Sequence, residues 1–187
     1  NYDYKGRYMV DFSFRYDGSS SFPKGSRWGF FPSVSAGWRI SEEAFMKEWI
    51  PFLTNLKIRG SYGKMGDDGG ASTYPQTVIA YNIEKDKIGW FYNGALMAGV
   101  AATAIPNPDL TWYTAETYNL GLDFDLWNQK LSGTFEVFKR KRSGLLATSS
   151  TVVPGTVGAS LPQENLNSDQ TFGWEISLNH RNRVAGV

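Results

Sequence analysis

The feature that most limits what this chain can become is a repeated alternation of apolar and polar residues with a period of two. It is clearest over residues 7–17, RYMVDFSFRYD. Tyr8, Val10, Phe12, Phe14 and Tyr16 fall on one side, and Arg7, Asp11, Ser13, Arg15 and Asp17 on the other. Successive side chains of a strand point to opposite faces of a sheet, so this period predicts strands rather than helices. One face carries full charges and the other almost only bulky apolar groups. Such a sheet belongs between water and an oily medium, which is either a protein core or a lipid bilayer.

Composition narrows the choice. The chain has 187 residues, enough for one domain with a sizeable core. A formal net charge of +1 gives no field that would draw it to nucleic acid. Cysteine is absent, which excludes disulfides and thiolate metal sites, and the single histidine, His180, excludes a histidine cluster. Aromatics at 16%, 20 glycines and only 20% charged residues fit twisted strands with aromatic belts. No run of about 18 apolar residues exists, so no transmembrane helix is expected. Neither end carries a terminal feature or signal peptide, and the chain is expected to be a piece of a longer polypeptide.

The pattern predicts six strands, over residues 4–17, 28–41, 56–64, 111–126, 131–141 and 173–181. A short helix is expected over 41–49, capped by Ser41, started by Glu42 and Glu43 where a helix dipole favours anions, and ended before Pro51. Residues 66–109 keep no steady period and read as a long loop with room for a hairpin of its own. Residues 127–130 form a tight turn, and 143–169 a second long polar segment. If strands alternate in direction, the longer connections fall on one rim and the shorter ones on the other. Outer-membrane barrels sort their loops in this way, and a soluble sandwich has no comparable reason to. The expected fold is therefore all-β: an antiparallel meander of about six strands within a large transmembrane β-barrel, with one short helix in a periplasmic turn. Residues 1–187 are read as one partial β-barrel domain.

On this reading Asp11, Arg15, Arg39, Lys57, Arg59, Asp123, Asp125 and Glu136 face a wide lumen that leaves them solvated, where a small dry barrel would force each to pair. Tyr8, Val10, Phe12, Phe14, Leu120, Leu122, Phe124, Phe135 and Ile176 face lipid. Tyr16, Trp38, Trp112 and Trp127 suit girdles at the two membrane interfaces.

Five segments carry a resemblance: RYDGSSSF, WGFFPSVSAGWRISEEAF, LKIRGSYGKMGDD, NPDLTWYTAETYNLGLDFDLWNQKLSGTFEVFKRK and GWEISLNHR. In this order they resemble consecutive barrel segments of SusC/RagA-type TonB-dependent transporters of Bacteroidetes-like outer membranes. The resemblance spans most of the chain. It implies a barrel of about 22 strands filled by a plug, import of glycans or peptides beneath a SusD-like surface lipoprotein, and energy delivered through TonB. No plug, TonB box or closing strand is recognisable in the chain, and SDQTF before Gly173 departs from the family pattern.

Candidate sites are few. Trp90, Phe91, Tyr92, Tyr74 and Tyr81 lie in the long third connection, where aromatic faces either stack on sugars or peptide side chains or pack the loop against the barrel mouth or a lid. Asp67, Asp68, Gly69 and Gly70 read as a glycine turn rather than a calcium loop, because the alternate acidic spacing is missing. Lys139, Arg140, Lys141 and Arg142 either meet lipopolysaccharide phosphates on the long-loop rim or form a solvated charge run. Asp123 and Asp125 are two apart on one strand face and read as solvated wall residues rather than a glycosidase pair. No nucleophile accompanies His180, so no enzyme, cofactor or metal is expected. The function expected is a segment of an outer-membrane importer that meets lipid, lipopolysaccharide, substrate and lid. The alternative is a soluble carbohydrate-binding β-sandwich.

Overall fold

The computed structural model describes residues 1–69, 81–102, 105–151, 154 and 161–182. Seven strands form one antiparallel sheet: β1 Tyr2–Tyr4, β2 Tyr8–Gly18, β3 Trp28–Arg39, β4 Leu53–Asp67, β7 Tyr113–Leu126, β8 Leu131–Thr148 and β9 Gln163–His180. Each pairs with its chain neighbour in the order β1-β2-β3-β4-β7-β8-β9, a meander without crossovers. The two remaining strands, β5 Tyr81–Tyr92 and β6 Ala95–Ala102, make a separate hairpin between β4 and β7.

Each of the six expected strands has its counterpart, but the first, expected over 4–17, begins at Tyr8: residue 4 ends the separate short β1, which turns into β2 through Lys5 and Gly6 at φ 55° and 63°. Asp3 Oδ1 accepts the Gly6 N–H at 2.7 Å to close that turn. Three strands overrun the expected bounds on the long-loop side. β4 reaches Asp67, β8 runs 18 residues to Thr148, and β9 begins at Gln163 rather than 173. A tilted strand needs only about 9–11 residues to cross a bilayer. Beyond that length the backbone ladder continues while no lipid demands one continuous apolar side, so the period fades although the strand does not. A double bulge near Ser143 and Leu145 marks this zone, with Gly144 at φ 75° supplying the left-handed residue.

The buried core lies in this overrun. Phe22 from the β2–β3 connection and Leu110 before β7 are 1% and 0% exposed, with Trp112 and Leu146 packed on them. Trp112 meets the edges of Phe22 and Phe31 at centroid distances of 5.1 and 5.4 Å. Trp112 is thus core rather than a membrane-girdle residue, which corrects the expectation. A Cβ at Gly29 or Gly66 would occupy the space of the Phe31 ring, so both positions are held to glycine by close approach. Asn165 staples the same zone. Its Oδ1 accepts from the Thr111 N–H at 3.0 Å, and its Nδ2 donates to the carbonyls of Thr111 (2.8 Å) and Gly144 (2.6 Å).

At the opposite rim the β3–β4 connection holds a 3-10 turn, Ile40–Glu42, and a helix, α1 Ala44–Trp49. Ser41 is buried in the 3-10 turn and does not cap the helix. Glu43 stands at the cap position, without a side-chain capping bond. Its carboxylate is occupied elsewhere. It accepts from Tyr8 Oη at 2.6 Å, Trp38 Nε1 at 3.2 Å and Arg7 Nη1 at 3.5 Å. The Tyr8 and Trp38 hydrogen bonds hold the Glu43 carboxyl below its ordinary range.

Two outcomes follow from these contacts. Asn165→Ala orphans three backbone groups and should lower stability by about 1–3 kcal/mol, read as a lower thermal midpoint by circular dichroism. Ser150→Ala, on an exposed loop, should change it by less than about 0.5 kcal/mol. A carboxyl whose folded value is depressed stabilises the fold above its unfolded pKa of about 4.3 and loses that contribution as pH falls through the folded value. The midpoint advantage of the parent protein over Glu43→Gln should therefore be full near neutrality and shrink below about pH 4.3. An advantage independent of pH would contradict the assignment.

Candidate functional site: the two faces of the sheet

The register carries one row of side chains across the sheet, Tyr8, Trp38, Ile58, Leu122, Phe135 and Ile176. Directly opposite residues share a face, so all nine residues expected to face lipid, Tyr8, Val10, Phe12, Phe14, Leu120, Leu122, Phe124, Phe135 and Ile176, lie on one side. The eight expected in the lumen, Asp11, Arg15, Arg39, Lys57, Arg59, Asp123, Asp125 and Glu136, lie on the other.

The polar face is organised around Arg59. Its Nε donates to Asp123 at 3.1 and 3.3 Å, and its Nη2 pairs with Glu136. Asn119 Nδ2 donates to the other Glu136 oxygen at 3.3 Å. Three strands are bridged by one guanidinium. Gly121, between Arg59 and Glu136 in the register, makes the crossing possible, because a Cβ there would lie 2.8 Å from Arg59 Cζ. These charges are paired, not individually solvated as expected. All three are partly exposed, so each contact contributes modestly, about 0.2–1 kcal/mol. Beside the network lies a groove of ≈ 440 Å³ lined by Asp11, Ser35, Gly37, Lys57, Arg59 and Asn119 among others. Small residues on β3 open the floor, and charges of both signs line it. Asp125 pairs in register with Asn55 and Ser132, while Arg15 pairs with Asp17 on its own strand.

The apolar face has no cover among the described residues. Phe12 is 58% exposed and Ile176 57%. A sandwich would lay a second sheet over this side, but the only other sheet described is the two-stranded β5–β6 hairpin. Aromatic pairs edge the face at both ends. Tyr4, Tyr8 and Trp38 stack in series at the short-connection rim, with Phe52 on Trp127 nearby at 5.8 Å. Tyr16 stacks on Trp28 at 5.2 Å toward the long loops. Tyr8 and Tyr16 are eight residues apart, about 27 Å along a strand. A tilt of about 40° reduces this to about 21 Å, close to the apolar band of roughly 25 Å on membrane barrels.

Loop candidates are placed unevenly. Tyr81, Trp90, Phe91 and Tyr92 are exposed on the β5–β6 hairpin, while Tyr74 lies outside the described residues. Trp90 opposes Met97 and Tyr92 opposes Ala95, so these two aromatics share a side and Phe91 takes the other. The turn is Asn93-Gly94, both at positive φ. This dipeptide between apolar runs is a strong hairpin signal that the loss of long-range period concealed. Asp67 Oδ1 accepts the Gly69 N–H at 2.7 Å, with Gly69 at φ 67°, a local turn. The run 139–142 is split by the pleat. Lys139 and Lys141 stand on the apolar face opposite Tyr118 and Glu116. Arg140 and Arg142 stand on the polar face, where Arg142 pairs with Asp169. It is therefore not one cationic cluster. His180 opposes Leu131 at the short-connection rim.

Residues 1–186 match the family model described as TonB dependent receptor-like, beta-barrel. TonB-dependent receptor P39 of Formosa agariphila is 34% identical over 177 residues, covering 95% of this chain and 16% of that protein. TonB-dependent receptor SusC of Bacteroides thetaiotaomicron is 31% identical over 179 residues, covering 96% and 17%. The chain thus spans about a sixth of the length of these relatives. Among structures, the RagAB peptide importer in its open-open state superposes with a TM-score of 0.77 at 24% identity, over 95% of this chain and 18% of that one. The siderophore receptor PirA from Pseudomonas aeruginosa superposes with a TM-score of 0.53 at 14% identity, over 92% and 28%. At these identities the structural likenesses speak to the fold alone. Matched by the barrel model along nearly all its length, and by relatives above 30% identity, the chain belongs to the TonB-dependent receptor β-barrel family.

Proposed function

We propose that the chain is a section of the barrel wall of an energised outer-membrane importer for glycans or peptides. The observation that carries the reading is the pairing of two unlike faces on one layer of sheet. One side is a continuous uncovered apolar surface edged by aromatics. The other is a polar wall with a charged network and a groove. A single sheet with both surfaces is stable where lipid wets one and water the other. Six long strands and a short one leave two bare edges, which other strands of a complete barrel would pair.

Long-side connections would meet the substrate and a SusD-like lipoprotein lid, and TonB would supply energy through a plug outside this chain. The β5–β6 hairpin is the part best suited to substrate. Trp90 and Tyr92 offer two exposed aromatic faces on one side of a short ladder, a surface that stacks on sugar C–H groups or on peptide side chains.

The chain has no cysteine, so single cysteines introduced into it, in a complete receptor with any cysteine elsewhere replaced, report their own sites. In the complete receptor in liposomes, nitroxides at Phe12 and Leu120 should favour collision with oxygen, and those at Asp11 and Ser35 with a water-soluble nickel chelate. Similar profiles for both sets would refute the wall assignment. Trp90→Ala with Tyr92→Ala should weaken apparent affinity for the imported glycan or peptide about five- to tenfold, equivalent to about 1–1.4 kcal/mol, whereas Phe91→Ala on the far side of the hairpin should not. Equal effects of all three would assign the hairpin a structural role instead.

A further inference from the structure

We propose that α1 and the aromatics around it form a foot that sits in the headgroup region of the periplasmic leaflet and fixes the depth of the barrel wall. The proposal rests on the membrane reading above and adds a binding surface to it.

The first observation is where the connection goes. Glu43, immediately before the helix, accepts hydrogen bonds from Tyr8 Oη at 2.6 Å and Trp38 Nε1 at 3.2 Å. Both rings stand on the apolar face. The other contact of Glu43, to Arg7 Nη1 at 3.5 Å, is the longest of the three, so the two shorter bonds tie the start of the helix to the apolar side of the rim.

The second is what the helix presents. α1 is six residues, AFMKEW, and none of them is buried. Helices this short are not stable alone in water, and they form where a face finds a partner. Phe45 and Trp49 are four apart and share one stripe, and Lys47 and Glu48 occupy others. Phe45 is half-exposed and Trp49 is 81% exposed, although a tryptophan seeks an apolar contact with one polar edge. Just beyond Pro51, Phe52 stacks on Trp127 of the β7–β8 turn, and both are half-exposed.

The third is continuity. These four aromatics share the short-connection rim with the stacked Tyr4, Tyr8 and Trp38. Lys5 over the Tyr4 ring at 5.3 Å adds a cation at the level where lipid phosphates lie. Aromatics with one wet edge, a nearby lysine and a helix tied to the apolar side of the rim describe an interfacial element rather than a docking site for a folded partner. Two adjacent short connections, β3–β4 and β7–β8, contribute to it, so the foot braces four neighbouring strands at one depth.

The test uses the complete receptor in phosphatidylethanolamine/phosphatidylglycerol liposomes, with single nitroxides at positions 45, 47, 49 and 12. Position 45 is labelled with Trp49 intact, because Trp49→Cys removes the largest anchor. The foot predicts that labels at 45 and 49 lie at the headgroup–acyl boundary, several-fold less accessible to the nickel chelate than a label at 47, while position 12 is deeper still. If 45 and 49 match 47 as free aqueous sites while 12 stays in the acyl region, the foot is refuted and the wall reading stands. If position 12 is also aqueous, the wall reading fails and the foot fails with it.

Discussion

Everything in this structure depends on the register of one antiparallel ladder. The apolar face exists as a surface only because Tyr8 meets Trp38, Trp38 meets Ile58, Ile58 meets Leu122, Leu122 meets Phe135 and Phe135 meets Ile176. A slip of one residue in any pair would send one strand's apolar set to the polar side and break the row. Tight connections at the short rim oppose such a slip. Trp127, Asn128 and Gln129 all sit at positive φ, an unusual backbone that fixes where β7 ends and β8 begins. The Lys5-Gly6 turn does the same for β1 and β2.

The ladder also decides how each face is used. On the apolar side the groups need no partners from the protein and remain exposed, so stability there is owed to the medium. On the polar side Arg59 finds two carboxylates across two strand boundaries, and Gly121 leaves room for it. Buried packing is displaced to the long-loop rim, where Phe22, Leu110, Trp112, Leu146 and Phe31 assemble from four separate segments. A wall of single-layer sheet has no other place for a core. The same rim is therefore both the best-packed part of the fold and the part from which the long connections emerge.

Much of the wall was legible in the sequence because its strands repeat the same alternation. The failures are equally physical. Trp112 resembles a girdle residue by position, but it packs on a core that four separate segments build, and no local pattern signals that. Residues 65–67, 142–148 and 163–172 lost the period yet kept their ladder, since above the membrane the backbone bonds continue while side chains such as Leu146 and Asn165 meet a local core and single partners rather than one apolar medium. The charges at 139–142 read as one run along the chain but are split between two faces by the pleat. Asn93-Gly94 did announce the β5–β6 hairpin, and the irregular composition around it hid the message.

The sequence by itself determined which stretches of the membrane-height wall are strands and which side chains travel together, because a pleated backbone sorts alternate residues to opposite sides whatever surrounds it. Only the tertiary structure decided which polar groups meet. Arg59 reaches Glu136 across 77 positions, Tyr8 reaches Glu43 across 35, and Asn165 reaches Thr111 across 54. Such pairings depend on register and turn length accumulated over several strands, and one strand's pattern contains neither quantity.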